Sequence, residues 1–237
     1  MLRQVVLDTE TTGIEPELGH RIIEIGCVEL VNRRPTGRVF HEYIQPDRDI
    51  DQGAYDVHGI SNEFLSDKPR FAQIADKFIE FIQGSQLVIH NAAFDVGFMD
   101  AEFRRLGPKT PLTADLCFEG KALDSLKMAR QKRPGQRNSL DALCKAFGID
   151  NSSRELHGAL LDAQLLAEVY LSMTREQNSL LASSGGNTVQ VPQAQAIERL
   201  GGQRQGCVIA PSADEALAFD ALLDTLRAKN DSLGWDA

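Results

Sequence analysis

Apolar residues change their spacing partway along this chain, and that change limits the folds open to it. In the first fifty positions they come as short runs: Gln4-Val5-Val6-Leu7 ending in Asp8, then Arg21 to Val31 rich in Ile and Val, then the weakly alternating Val39 to Ile44. Runs of this kind, bounded by turn residues, read as strands, and the turn-forming segment Asn32 to Gly37 makes the second and third a hairpin. From Phe71 the period becomes helical, with Phe71, Ile74, Ala75, Phe78, Ile79 and Ile82 on one face. Gln86 to Ile89 then reads as a short buried strand, and Ala92 to Leu106 as a helix stopped by Gly107-Pro108. Leu123 to Ala129, Ser139 to Phe147 and Ala159 to Met173 supply three more helices, the middle one capped by Asn138 or Ser139 and ended by Gly148. An antiparallel start followed by alternating helix and strand predicts an α/β mixed sheet with helices on both faces.

This patterning ends near Gln177. From Glu176 to about Pro211 the chain thins into Ser, Gly, Gln and isolated Val, the composition of a flexible linker. Beyond it Ser212-Ala213-Asp214-Glu215 is a capping box, and Phe219, Leu222, Leu223 and Leu226 follow at amphipathic-helix spacing. Such a helix is too small to bury its stripe alone and calls for a partner. The expected organisation is therefore a domain over residues 1–175, a linker over 176–211 and a partner-binding tail over 212–237.

Charge and cysteine usage narrow the function classes. Lys and Arg number 25 against 34 Asp and Glu, a net charge of −9, so the whole chain is no electrostatic magnet for nucleic acid. Any contact with DNA or RNA must be local, metal-assisted or helped by a partner. The four cysteines stand far apart without a Cys-x-x-Cys pair, which argues against a zinc site or disulfide framework and for a reduced, cytosolic protein. No segment approaches the roughly 18 consecutive apolar residues of a spanning helix, and Asp8 interrupts any signal-peptide core, so membrane and secreted classes drop out.

Three clusters carry chemistry. Asp8-Thr9-Glu10 puts two carboxylates at i and i+2, leaving the same face of the strand where the apolar run ends; they repel unless a cation lies between them, and hard oxygen ligands suit Mg²⁺ or Mn²⁺. In His90-Asn91-Ala92-Ala93-Phe94-Asp95 a buried strand runs into a helix whose first turn holds Asp95, favoured there by the helix dipole; Asn91 can serve as N-cap and His90 reads as a satisfied, partly buried histidine. In His157-Gly158-Ala159-Leu160-Leu161-Asp162, the histidine and the acid share a face only if His157 lies in the loop before the helix, because five residues turn an α-helix by about 140° beyond a full turn. Asp162 among Leu160, Leu161 and Leu165 then needs a cation or hydrogen bonds.

The ordered pattern Asp8-x-Glu10, Asp95 and His157-x4-Asp162 resembles the DEDD 3′–5′ exonucleases of the histidine subtype, over about residues 3 to 175. The strings Val6 to Gly13, Val57-His58-Gly59-Ile60, Val88 to Asp95 and Arg137 to Leu143 more narrowly resemble the proofreading epsilon subunits of bacterial DNA polymerase III. This resemblance implies a ribonuclease H-like fold and hydrolysis of a terminal phosphodiester with two divalent metal ions, Mg²⁺ or Mn²⁺. It implies that Asp8 bridges both ions, that Glu10 and Asp162 hold the one nearer the attacking water, and that Asp95 acts on the second through water. His157, with an ordinary pKa near 6.5, becomes the general base. His58 matches a position that contacts the terminal nucleotide, so Asp8, Glu10, His58 and Asp162 are the expected substrate contacts. Gly53 stands where the epsilon pattern has an acid.

By the same resemblance the tail has partners. Gln177, Leu180 and Leu181 resemble a sliding-clamp peptide lacking its terminal aromatic, hence a weak one, and Phe219, Leu222, Leu223 and Leu226 are expected to dock on the polymerase III catalytic alpha subunit. A small accessory subunit is a further candidate partner, the DNA 3′ end is the expected substrate, and the cytoplasmic replisome is the expected location. Two other readings compete: a stand-alone RNA-trimming relative, for which a linker and partner helix have no use, and a non-catalytic scaffold, which has no reason to keep all five catalytic positions. Lys127, Arg130, Lys132, Arg133 and Arg137 form a basic cluster that reads as a solvated helix end or a guide for a DNA backbone.

Overall fold

The structure is a computed structural model that describes residues 2–152, 154 and 156–175. The expected linker, the peptide Gln177 to Ala182 with Leu180 and Leu181, and the tail positions Phe219, Leu222, Leu223 and Leu226 lie outside the described residues.

Three antiparallel strands open the chain: β1 (Arg3–Thr11), β2 (Ile22–Val31) and β3 (Arg34–Tyr43). Then come α1 (Gln52–His58), α2 (Asn62–Leu65), α3 (Phe71–Ile82), β4 (Gln86–Ile89), α4 (Ala92–Leu106), α5 (Thr113–Leu116), β5 (Leu123–Asp124), α6 (Ser125–Lys132), α7 (Leu140–Phe147) and α8 (Ala159–Met173). The sheet order is β3-β2-β1-β4-β5, with β1 paired antiparallel to β2 and parallel to β4. Alternation along β1 sorts its side chains. Val5 and Leu7 meet Phe71, Phe78, Phe98 and Phe103 of α3 and α4 on one face, while Val6 meets Leu166, Ala167 and Tyr170 of α8 on the other. A further apolar cluster ties α8 to α6 and α7 through Val169, Leu165, Ala129 and Leu143. Helices therefore cover both faces, as the patterning predicts. Cys27, Cys117 and Cys144 are buried free thiols, and among the described residues no helix is long and apolar enough to cross a membrane.

Several boundaries differ from the sequence expectation. The first strand does not end at Asp8; pairing continues through Glu10 opposite Glu24 and resumes after an irregularity at Thr11 opposite Ile22, so both acids sit inside a hydrogen-bonded strand. The hairpin turn is tighter than Asn32 to Gly37: Asn32 and Arg33 alone make it, both with positive φ (49° and 65°), and Arg34 already pairs with Val31. Leu123 does not start a helix but pairs with Val88, extending the sheet by a fifth strand. The helix starts at Ser125, where the Asp124 carboxylate accepts from the backbone N–H groups of Leu126 (2.9 Å) and Lys127 (3.1 Å). Of the two capping candidates for α7, Ser139 accepts from Ala142 N–H at 3.3 Å, and Gly148 closes the helix in the left-handed region. His58 is the last residue of α1 and is buried.

Candidate active site

β4 ends opposite Leu7 while β1 runs on to Thr11, and the cleft at the carboxyl ends of parallel strands is the usual ligand site of open α/β sheets. Here Asp8 and Glu10 project from β1, and Asp95 stands in the first turn of α4, which follows β4 through the Asn91 turn. Asp162 stands in the first turn of α8, with His157 in the loop before it. The approach of α8 depends on Gly26, which pairs with Asp8; a Cβ at Gly26 would overlap the backbone of Ala159 and Leu160. All five sequence-singled residues line one cavity of about 720 Å³, together with His90, Asn91, Arg130, Asp141 and Arg154 among others.

The cluster is electrostatically crowded. Burial, then repulsion from Asp95, Glu10 and Asp162, raises Asp8 well above the usual carboxylate range. Burial, then Glu24, Asp162 and Asp95, pushes Glu10 up to about 8. Burial raises Asp95 to about 7 even though the Thr9 hydroxyl donates to its Oδ1 at 2.8 Å and opposes the shift. His157 is moved the other way, below its ordinary value, chiefly by burial and then by the positive charge of Arg154. Asp8, Glu10 and Asp95 are placed where ionisation is disfavoured, which a multivalent cation would reverse. One donor atom each from Glu10, His157 and Asp162 already lie within 4.8 Å of one another. Carboxylate oxygens of this kind fit a hard divalent ion.

Arg154 enters this cluster, and sequence reasoning missed it. Its Nε and Nη2 donate to Asp162 Oδ1 and Oδ2 at 2.5 and 2.7 Å, its Nη1 donates to Asp141 Oδ1 at 2.7 Å, and Nη2 lies 2.8 Å from His157 Nδ1. A loop arginine ordinarily reads as solvated, and the only sequence signal is its place three residues before His157.

His58 belongs to an adjoining cavity of about 350 Å³ that shares Thr9, Glu10 and Phe94 with the first and adds Ile14, Asp51, Gly53 and Val57. Its Nδ1 accepts from Ile60 N–H at 2.9 Å while Nε2 is buried without a partner among the described residues, and burial lowers its pKa. Asp51, at the start of α1, places a carboxylate on the wall that Gly53 leaves without one. His90 is satisfied by the Ser125 hydroxyl at 2.9 Å. Of the basic cluster only Arg130 lines the main cavity; Lys132 donates to Met173 O, and Arg133 is tied to Gln136, Arg137 and Asn138.

Residues 5–170 match the exonuclease family. The chain is 52% identical to DNA polymerase III subunit epsilon of Escherichia coli over 240 aligned residues, covering 99% of this chain and 98% of that protein. It is 57% identical to the protein of the same name from Haemophilus influenzae over 75% of this chain and 70% of that one. Among solved structures, exonuclease X in complex with 5′-overhanging duplex DNA superposes with a TM-score of 0.53 at 27% identity, covering 72% of this chain and 90% of that one. The nuclease domain of 3′hExo, a DEDDh family member bound to rAMP, superposes with a TM-score of 0.61 over the same shares at 20% identity, a likeness of fold.

Proposed function

The chain belongs to the exonuclease family and, within it, to the DNA polymerase III epsilon subunits, and from that membership we infer that it is the 3′–5′ exonuclease that proofreads for a replicative polymerase. One observation carries the chemical reading: four carboxylates from three separate elements converge with His157 in one cavity. Exonucleases of this group use divalent metals, and Asp8, Glu10, Asp95 and Asp162 are the residues that would hold a pair of Mg²⁺ or Mn²⁺ ions here. When bound, two such ions supply an activated water, neutralise the charge that develops on the phosphate, and stabilise the leaving 3′-oxygen.

The remaining work falls to side chains of this chain. Asp95 is oriented by the Thr9 hydroxyl. His157 is the general base: its ring is kept neutral by burial and by Arg154, and its side chain is 46% exposed, open to the water it deprotonates and to the solvent that receives the proton. His58 and the adjoining cavity receive the terminal nucleotide. The acids that make the bare site repel DNA become its phosphate site once they hold cations.

The polymerase III name of the relatives supports assembly with the polymerase catalytic alpha subunit in the cytoplasm. We assign that contact to the tail residues Phe219, Leu222, Leu223 and Leu226, with Gln177, Leu180 and Leu181 offering a weak clamp site and a small accessory subunit as a further partner. The test of the site is His157→Ala: hydrolysis of a mispaired 3′ end falls about 10²- to 10⁴-fold, while Mn²⁺ affinity and binding of a single-stranded 3′ end stay near those of the parent. Equal losses in rate and in Mn²⁺ affinity would make His157 a ligand instead.

A further inference from the structure

Resting on the metal reading above, we propose that Arg154 is a resident counter-ion of the catalytic cluster, which holds Asp162 and His157 in the metal-free chain and must release them for a divalent cation to bind. One guanidinium grips both oxygens of Asp162 through Nε and Nη2, and the same Nη2 lies 2.8 Å from His157 Nδ1. Arginine has only donors, so that contact spends a ring lone pair of the imidazole. A single side chain thus occupies an expected metal ligand and the expected base together. It does so with its own side chain only 6% exposed.

The grip is strong by construction. A two-pronged arginine–carboxylate pair is the tighter kind of charge-assisted bond, and the surroundings add three more carboxylates whose repulsion it relieves. A divalent ion on the same Asp162 oxygens could not share them with a guanidinium in contact, since like charges at about 4 Å repel strongly in a partly buried site. Arg154 has somewhere to go. Its third nitrogen is already on Asp141, whose side chain is 56% exposed and which is also tied to the same loop by Asn151 Nδ2 at 3.0 Å. Rotation about Asp141 withdraws the fork from Asp162 without stranding the charge.

The full-length chain is titrated with Mn²⁺ alone, without DNA, for the parent, Arg154→Gln and Arg154→Lys, and the melting temperature of each is read with and without the ion. Arg154→Gln should bind Mn²⁺ at least about tenfold more tightly, the worth of one charge-assisted contact, and its metal-induced rise in melting temperature should exceed the parent's. Arg154→Lys keeps the charge but loses the fork and should tighten binding about threefold; it carries the test alone if Arg154→Gln does not fold. A parent that binds Mn²⁺ beside variants that bind it equally or more weakly overturns the proposal and leaves Arg154 a structural ion pair. Failure of every form to bind Mn²⁺ overturns the metal reading itself, and this proposal with it.

Discussion

Asp8 and Gly26 face each other across the β1–β2 pairing, and the missing side chain at Gly26 is what lets the first turn of α8 rest on the sheet beside Asp8. Gly26→Ala should push the Ala159–Leu160 backbone outward and carry Asp162 with it. The expected cost is about 1–3 kcal/mol of stability from overpacking. A displacement on the order of 1 Å at the site should also lower the rate about 10²-fold. Thermal melting and nuclease assays on one preparation check both; full activity would show that α8 does not need this approach.

Asp8→Asn and Asp162→Asn should both reduce hydrolysis at least about 10²-fold, yet move metal-free stability in opposite directions. Removing the charge of Asp8 relieves repulsion among Asp95, Glu10 and Asp162. Removing that of Asp162 leaves Arg154 without the partner its fork grips, and breaking a buried pair costs about 3 kcal/mol or more. Melting in a chelator should therefore rise for the first variant and fall for the second. Parallel shifts would sink the distinction.

The metal-free enzyme should lose stability as pH rises. Glu10 at about 8 and Asp95 at about 7 have folded-state pKa values above their ordinary ones, so the folded chain holds more protons than the unfolded chain through that interval. Stability then declines from about pH 4 to 8 as these two groups titrate. Divalent cation removes the need for those protons, so Mg²⁺ should flatten the decline. Melting curves from pH 5 to 9, with chelator and with Mg²⁺, measure the difference; identical slopes would contradict the assignment.

The division near Gln177 is tested by shortening. A chain ending at Ser183 should fold and digest single-stranded DNA, since the core clusters and all five site residues lie before Met173 or at it. Leu222→Asp with Leu226→Asp in the full chain should abolish capture by the polymerase alpha subunit and leave single-strand digestion unchanged. The loss of capture should be greatest when both proteins are dilute, because tethering acts through effective concentration. Normal capture by the double variant would refute the tail assignment.

What could be read from the sequence follows from where side chains bury themselves. The Phe71 to Ile82 stripe, the Gln86 to Ile89 run and the helix from Ala159 were all legible because each buries a repeated apolar face. β5 was not, since two residues have no period and its place in the sheet is set by pairing with β4. Nor was α1, whose sequence Gln52 to His58 buries little beyond His58 and carries Gly53 in its first turn. At the site, Asp8, Glu10, Asp95, His157 and Asp162 were visible as carboxylates and histidines at element junctions. Arg154 and Asp141 were not, because their pairing joins a loop to another helix, and no local spacing encodes it.

Asp8 comes from the first strand of the domain, Asp95 from its middle and Asp162 from its last described helix. During synthesis the first acids leave the ribosome more than 150 residues before the last one. On the proposed assignment, a chain that stalls before Asp162 lacks one of the four carboxylates and is expected not to hydrolyse nucleic acid. The expected ligand set is complete only once α8 lies against the sheet, so the layout of the fold itself ties activity to the end of the domain.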